Sequence, residues 1–165
     1  MLNTVRFILS FTLLIFLTAC NHSKNDHVDL QHQVDSLNSR LENIYVPGLG
    51  EFMTSIQLHH AKLWFAGTNG NWDLANFEME EIQETLNDIQ KYNRDRPEIK
   101  DLPIILGPLD SVKAAIAAKN LVAFKKSFNF LTTGCNNCHQ VTKHAFNIIT
   151  IPDSPPVTNQ AFEKH

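Results

Sequence analysis

Cysteine is scarce in this chain: there are three, at positions 20, 135 and 138. Cys135 and Cys138 form a close pair, but the second Cys pair that usually completes a structural zinc site is missing. No strand-like stretch precedes Cys135, as the dithiol of a thioredoxin-like βαβ unit would require. Basic charge is also short, with 14 Lys and Arg against 17 Asp and Glu, which argues against a nucleic-acid partner. The apolar run from Phe7 to Leu17 is too short to span a bilayer. No acid/base pair stands out beside the cysteine pair, so the sequence points to a carrier or binding protein before an enzyme.

What is present is Cys135-Asn136-Asn137-Cys138-His139. Cys-x-x-Cys-His is the attachment signature of c-type haem. The two thiols add to the porphyrin vinyl groups, and the adjacent histidine supplies the proximal ligand to the iron. One covalently bound haem c is therefore expected, with Cys135 and Cys138 as thioether anchors and His139 as iron ligand.

The N-terminus agrees, because c-type haem is attached outside the cytoplasm. Arg6 followed by Phe7 to Leu17 has the proportions of a signal peptide. The run ends in Leu17-Thr18-Ala19-Cys20, which resembles the lipobox of bacterial lipoproteins. Residues 1–19 are thus expected to be removed and Cys20 to carry the lipid, and two or three acyl chains on one residue anchor stably. A periplasmic protein tethered to a bacterial membrane follows. Asn21, in place of an Asp after the acylated Cys, favours the outer membrane. The remaining length suits one domain with its own core.

Residues 20–26 are polar and aperiodic, as a lipid tether would be. Leu30, Val34, Leu37, Leu41 and Ile44 then recur at three- and four-residue intervals, predicting an N-terminal helix within 27–46 that stops before Pro47-Gly48. A second helix is expected from about Gly50 to Ala66, closing at Gly67-Thr68-Asn69-Gly70. Asn71 reads as an N-cap for a third, with Trp72, Ala75, Met79, Ile82, Leu86 and Ile89 on one stripe. Glu78, Glu80, Glu81 and Glu84 fall largely off that stripe and read as a solvated face. Arg94 to Leu102 reads as a charged loop. A fourth helix carries Ile105, Leu109, Val112 and Ile116 and ends near Lys119. Asn120 then caps a fifth in which Leu121, Phe124, Phe128, Leu131, Cys135 and Cys138 keep one stripe. Both cysteines therefore fall on a core-facing stripe. Residues 147–165, with Pro152, Pro155 and Pro156, read as an extended tail laid across the helices.

The expected fold is all-α: a four-helix bundle over residues 47–146, an additional N-terminal helix and an irregular Pro-rich tail. Four amphipathic helices with Cys-x-x-Cys-His on the last resemble the class II c-type cytochromes, the cytochrome c′ and c556 group, over roughly residues 50–146. That group usually carries Arg four residues after the haem histidine, where this chain has Lys143. The segment His60-Ala61-Lys62-Leu63-Trp64-Phe65-Ala66-Gly67, with Asn71-Trp72 and Ser154 to Gln160, is similar to an uncharacterised set of exported bacterial haem proteins.

The resemblance implies that the first bundle helix faces the second axial position of the iron. Met53, His59 and His60 are carried there. The wheel leaves His59 and His60 on either side of the Phe52/Ile56/Leu63 stripe, and the likeness to the exported set favours His60 as sixth ligand. Phe124, Phe128, Trp64 and Trp72 would then form a dry shell around the haem. A six-coordinate iron suits outer-sphere electron transfer. If no side chain binds, the site would take up nitric oxide or carbon monoxide. A third reading makes the chain a haem accessory subunit of a membrane oxidoreductase. The redox partner is an unidentified protein, and class II relatives set an expectation of a homodimer.

Overall fold

The computed structural model describes residues 27–41 and 45–164. Every regular element among them is helical, which makes the fold all-α. The signal segment, Cys20 and the tether lie outside the described residues, as does Ile44. No helix among the described residues is long and apolar enough to cross a membrane.

The chain divides into two compact units at residues 45 and 46. In the first, helix α1 spans residues 27–41 and carries the predicted Leu30, Val34, Leu37 and Leu41. Its polar face holds two four-residue pairs: the Gln33 amide donates to Asp29, and that of Gln31 donates to Asp35.

The second unit holds α2 (Leu49–Thr68), α3 (Trp72–Tyr92), a 3₁₀ segment (Pro97–Ile105), α4 (Leu106–Ala117) and α5 (Leu121–Val141). The two asparagine caps behave as their chemistry requires. Asn71 accepts from the Leu74 N–H at 3.2 Å and Asn120 from the Ala123 N–H at 3.0 Å, each satisfying an orphan donor of a first turn. Lys119, between α4 and α5, takes a left-handed backbone with φ of 50°.

Packing follows the stripes. α2 lies along α3, α4 along α5, α3 touches α4, and α5 returns to α2, with the 3₁₀ segment wedged against α3, α4 and α5. Leu63, Ala75, Met79, Ile89, Leu109, Val112, Phe124 and Phe128 are fully enclosed in one core. Each large apolar side chain so buried contributes roughly 1.5–3 kcal/mol.

Four expectations are corrected. Gly67 does not end α2. It sits buried inside the helix, because a Cβ there would overlap the ring of Phe124 on α5 and only glycine permits the approach. The helix still closes within the expected Gly67-Thr68-Asn69-Gly70 segment, at Thr68, with the turn made at Gly70, φ of 71°. Glu78 is not on a solvated face but only 1 % exposed. Residues 97–105 are ordered 3₁₀ turns that bury Leu102 and Ile105, since Pro97 pre-sets a helical start. Leu121, counted on the α5 stripe, is exposed in the first turn.

The tail is irregular, and much of it is held against the helices. Phe162 is buried with its ring 5.7 Å from that of Phe65, Ile151 and Val157 pack on the core, and Asn71 donates to the Glu163 carbonyl. Buried apolar anchors order a segment that has no helical period of its own.

Candidate functional site

Cys135 stands four residues before His139 and Cys138 directly before it, so one face of the last turns of α5 presents all three. They line a cavity of about 420 Å³. Its far wall is α2, which contributes Met53, Ile56 and His60. Ile82 and Leu86 of α3 and Leu102 of the 3₁₀ segment close the sides. The residues singled out from the sequence as anchors, proximal ligand and sixth ligand thus share one largely apolar chamber.

Burial governs the thiols. Removal from water pushes the Cys135 thiol up to about 12, with the neighbouring Cys138 adding to the effect. Cys138 is raised for the same first cause, with Asp101 adding, and its Sγ lies 4.0 Å from the Asp101 carbonyl oxygen. Both groups are held as neutral thiols at neutral pH.

His139 is oriented by the tail. Its Nδ1 is 2.6 Å from the carbonyl oxygen of Asn147. A carbonyl only accepts, so Nδ1 carries a proton, and in the neutral imidazole the lone pair is on Nε2. Asn136, between the two cysteines, fixes the same loop: its amide donates to the Ile149 carbonyl at 2.9 Å, and its carbonyl accepts from the Ile149 N–H at 2.8 Å.

His60 is 3 % exposed and its ring lies 4.4 Å from that of Phe128. Burial lowers it to about 4, so it is neutral at pH 7. The Thr132 hydroxyl donates to the Phe128 carbonyl at 3.0 Å, which leaves its oxygen to accept from His60 Nε2 at 2.9 Å. Nδ1 is then the lone-pair atom.

The contacts also give the register of α2 on α5. Gly67 meets Phe124 and His60 meets Thr132, so the helices run antiparallel. Stepping on by seven residues from Thr132 reaches His139, and by the same step from His60 reaches Met53. Met53 is therefore level with His139, whereas His60 lies about 10 Å along the helix axis from that level.

His59 does not line the cavity. Its Nδ1 is 2.7 Å from Glu78, which also has Lys62 at 3.9 Å, and its Nε2 is 3.9 Å from Glu81. Trp64, Trp72, Phe124 and Phe128 form one aromatic cluster, with Trp64 and Phe128 centroids 4.9 Å apart and Trp72 and Phe124 5.9 Å apart. That cluster is core beyond His60, and none of its four members lines the cavity. Lys143 is exposed, has φ of 66°, and lies off the cavity.

The charged end of the chamber has no signature in the sequence. Arg96 and Glu98 line it, as do His144 and Asn147. Arg96 Nη2 is 2.9 Å and Nε 3.2 Å from the Glu98 carboxylate. The Glu98 carboxyl is held below the usual range by its own backbone N–H first and then by Arg96, with the charge of His144 adding. Only the run of charge around Pro97 marked this segment, and nothing in it named a destination.

No family model, no curated protein and no solved structure matches the chain.

Proposed function

We propose that the chain is a monohaem c-type cytochrome that carries single electrons, exported to the periplasm and held to a membrane by lipid on Cys20. In this reading α2 to α5 make a four-helix bundle of the class II kind, with α1 as the additional N-terminal helix. The observation that carries the proposal is the chamber of about 420 Å³ with Cys135, Cys138 and His139 on one wall. Cavities of a few hundred Å³, mostly apolar with a few convergent polar groups, are the ordinary form of cofactor sites.

The donor set suits the group. The two thiols are neutral, half-buried and spaced for two thioether bonds to one porphyrin. His139 keeps Nε2 for iron because Asn147 holds its Nδ1–H, the outer-shell hydrogen bond that iron- and zinc-bound histidines commonly have. Haem iron, when bound, supplies a reversible one-electron couple. The protein's part is to hold the proximal imidazole at a fixed angle, to exclude water with Ile56, Ile82, Leu86 and Leu131, and to offer or withhold a second ligand from α2.

His60 and Met53 both face the chamber, one as a neutral imidazole and one at the level of His139. A second reading, binding of nitric oxide or carbon monoxide, is favoured by one observation: His60, whose free nitrogen is Nδ1, lies about 10 Å along the helix axis from the level of His139. Absorption and resonance Raman spectra of the haem-loaded protein, with His60→Ala and Met53→Ala beside it, separate the two. A low-spin, six-coordinate spectrum lost in one variant supports the carrier. A high-spin ferrous spectrum that shifts with carbon monoxide and ignores both substitutions supports gas binding.

A further inference from the structure

Among the described residues that line the chamber, Arg96 is the only one with a permanent positive charge. It stands at the end shared by Glu98 and His144, and the backbone N–H of His144 donates to the backbone carbonyl of His139. The chamber is therefore amphipathic, aliphatic over most of its wall and charged at one end near the proximal histidine. A porphyrin has the same asymmetry, since both of its propionates leave from one edge.

The Arg96 fork is already shaped around a carboxylate. Nε and Nη2 engage the two Glu98 oxygens at 3.2 and 2.9 Å, the two-pronged geometry that arginine offers and lysine does not. The side chain is half exposed, at 52 %, so the pair is weakly held and exchange for another carboxylate costs little. Lys143, which occupies the place of the usual class II arginine, lies off the chamber.

We infer that Arg96 is the residue that binds a porphyrin propionate, with the Glu98 carboxylate standing in for it when the chamber holds no porphyrin. The inference rests on the haem reading above. It moves the propionate contact from the segment after the haem histidine to the segment before the 3₁₀ turns.

The test uses the full chain, purified without cofactor and kept reduced, titrated by Soret absorbance with ferric haem and, separately, with ferric haem dimethyl ester. Arg96→Ala is expected to weaken haem binding on the order of tenfold, as loss of a partly exposed charge-assisted contact should. It should leave binding of the ester unchanged, and Arg96→Lys should restore only part of the loss. Equal binding of haem by the native chain and Arg96→Ala would overturn the inference while leaving the cytochrome reading in place. An equal loss for haem and ester would also overturn it, by showing that Arg96 acts on the chamber and not on a propionate. Failure of the native chain to bind either compound would overturn both.

Discussion

The Nδ1–H of His139 donates to the carbonyl oxygen of Asn147 across 2.6 Å, so the C-terminal tail sets the tautomer of the histidine in the Cys-x-x-Cys-His run. The tail loop is in turn pinned by Asn136, whose amide makes both of its bonds to the backbone of Ile149. A residue that the motif leaves unspecified is thus structural here.

Asn136→Ala removes two half-buried hydrogen bonds, whereas Asn137→Ala alters an exposed helical position of the same residue type. The two share any gain in helix propensity, so their difference isolates the tail contact. Asn136→Ala should be less stable than Asn137→Ala by about 1–3 kcal/mol in urea unfolding. Equal stabilities would mean that the tail does not depend on Asn136.

At Gly67 the ring of Phe124 on α5 lies directly against the α2 backbone. Gly67→Ala gains about 1 kcal/mol of helix propensity but forces a methyl group against the fully buried Phe124 ring, an overpacking cost of about 1–3 kcal/mol. A net loss of stability is expected. Gly50→Ala, where a Cβ meets nothing within 4 Å, should be neutral or stabilising by up to about 1 kcal/mol. Thermal unfolding of the two variants reads the sign directly.

Glu78 is enclosed between α2 and α3 with His59 and Lys62 as partners. Glu78→Ala should cost about 3 kcal/mol, from a lost charge-assisted hydrogen bond and a truncated buried side chain. Glu80→Ala, on the exposed face of the same turn, should change stability by no more than about 0.5 kcal/mol. A double-mutant cycle of His59→Ala with Glu78→Ala should return a coupling of about 1–2 kcal/mol.

These same residues show where sequence is informative and where it stops. The caps Asn71 and Asn120, the α3 stripe and the stripe from Phe124 to Leu131 were legible because they depend on local chemistry and helical period alone. Glu78 was misread because its burial depends on His59 and Lys62 arriving from another helix. Gly67 looked like a helix stop because its reason, a ring on α5, is 57 positions away. The clustering of Cys135, Cys138 and His139 is local to one helix and was visible. The presence of Arg96, Glu98 and Asn147 at the same chamber comes from the 3₁₀ segment and the tail folding back, which no periodicity encodes.

The pH dependence of the cofactor-free protein should carry a His60 signature. Its pKa falls from 6.5 to about 4 on burial, so the unfolded chain takes up a proton that the folded chain refuses. Stability is therefore full above pH 6.5 and lost as pH drops towards 4, by about 1.4 kcal/mol per unit and about 3 kcal/mol in all. His60→Gln can keep the donor to Thr132 without titrating. Urea unfolding at pH 7 and pH 4.5 should show a smaller loss in His60→Gln than in the native chain by about 2–3 kcal/mol; an equal loss in both would refute the assignment.

In the cytochrome proposal Cys135, Cys138 and His139 hold one covalent haem. That attachment is tested most directly by the intact mass of the full chain after export from a bacterium with active c-type haem attachment, taken after denaturation and acid–acetone extraction. A mass increased by one haem is expected in the native chain, and no increase when Cys135 and Cys138 are both replaced by Ala. A native chain that reaches the periplasm folded, with haem attachment demonstrated on a control cytochrome in the same cells, yet carries no added mass would contradict it.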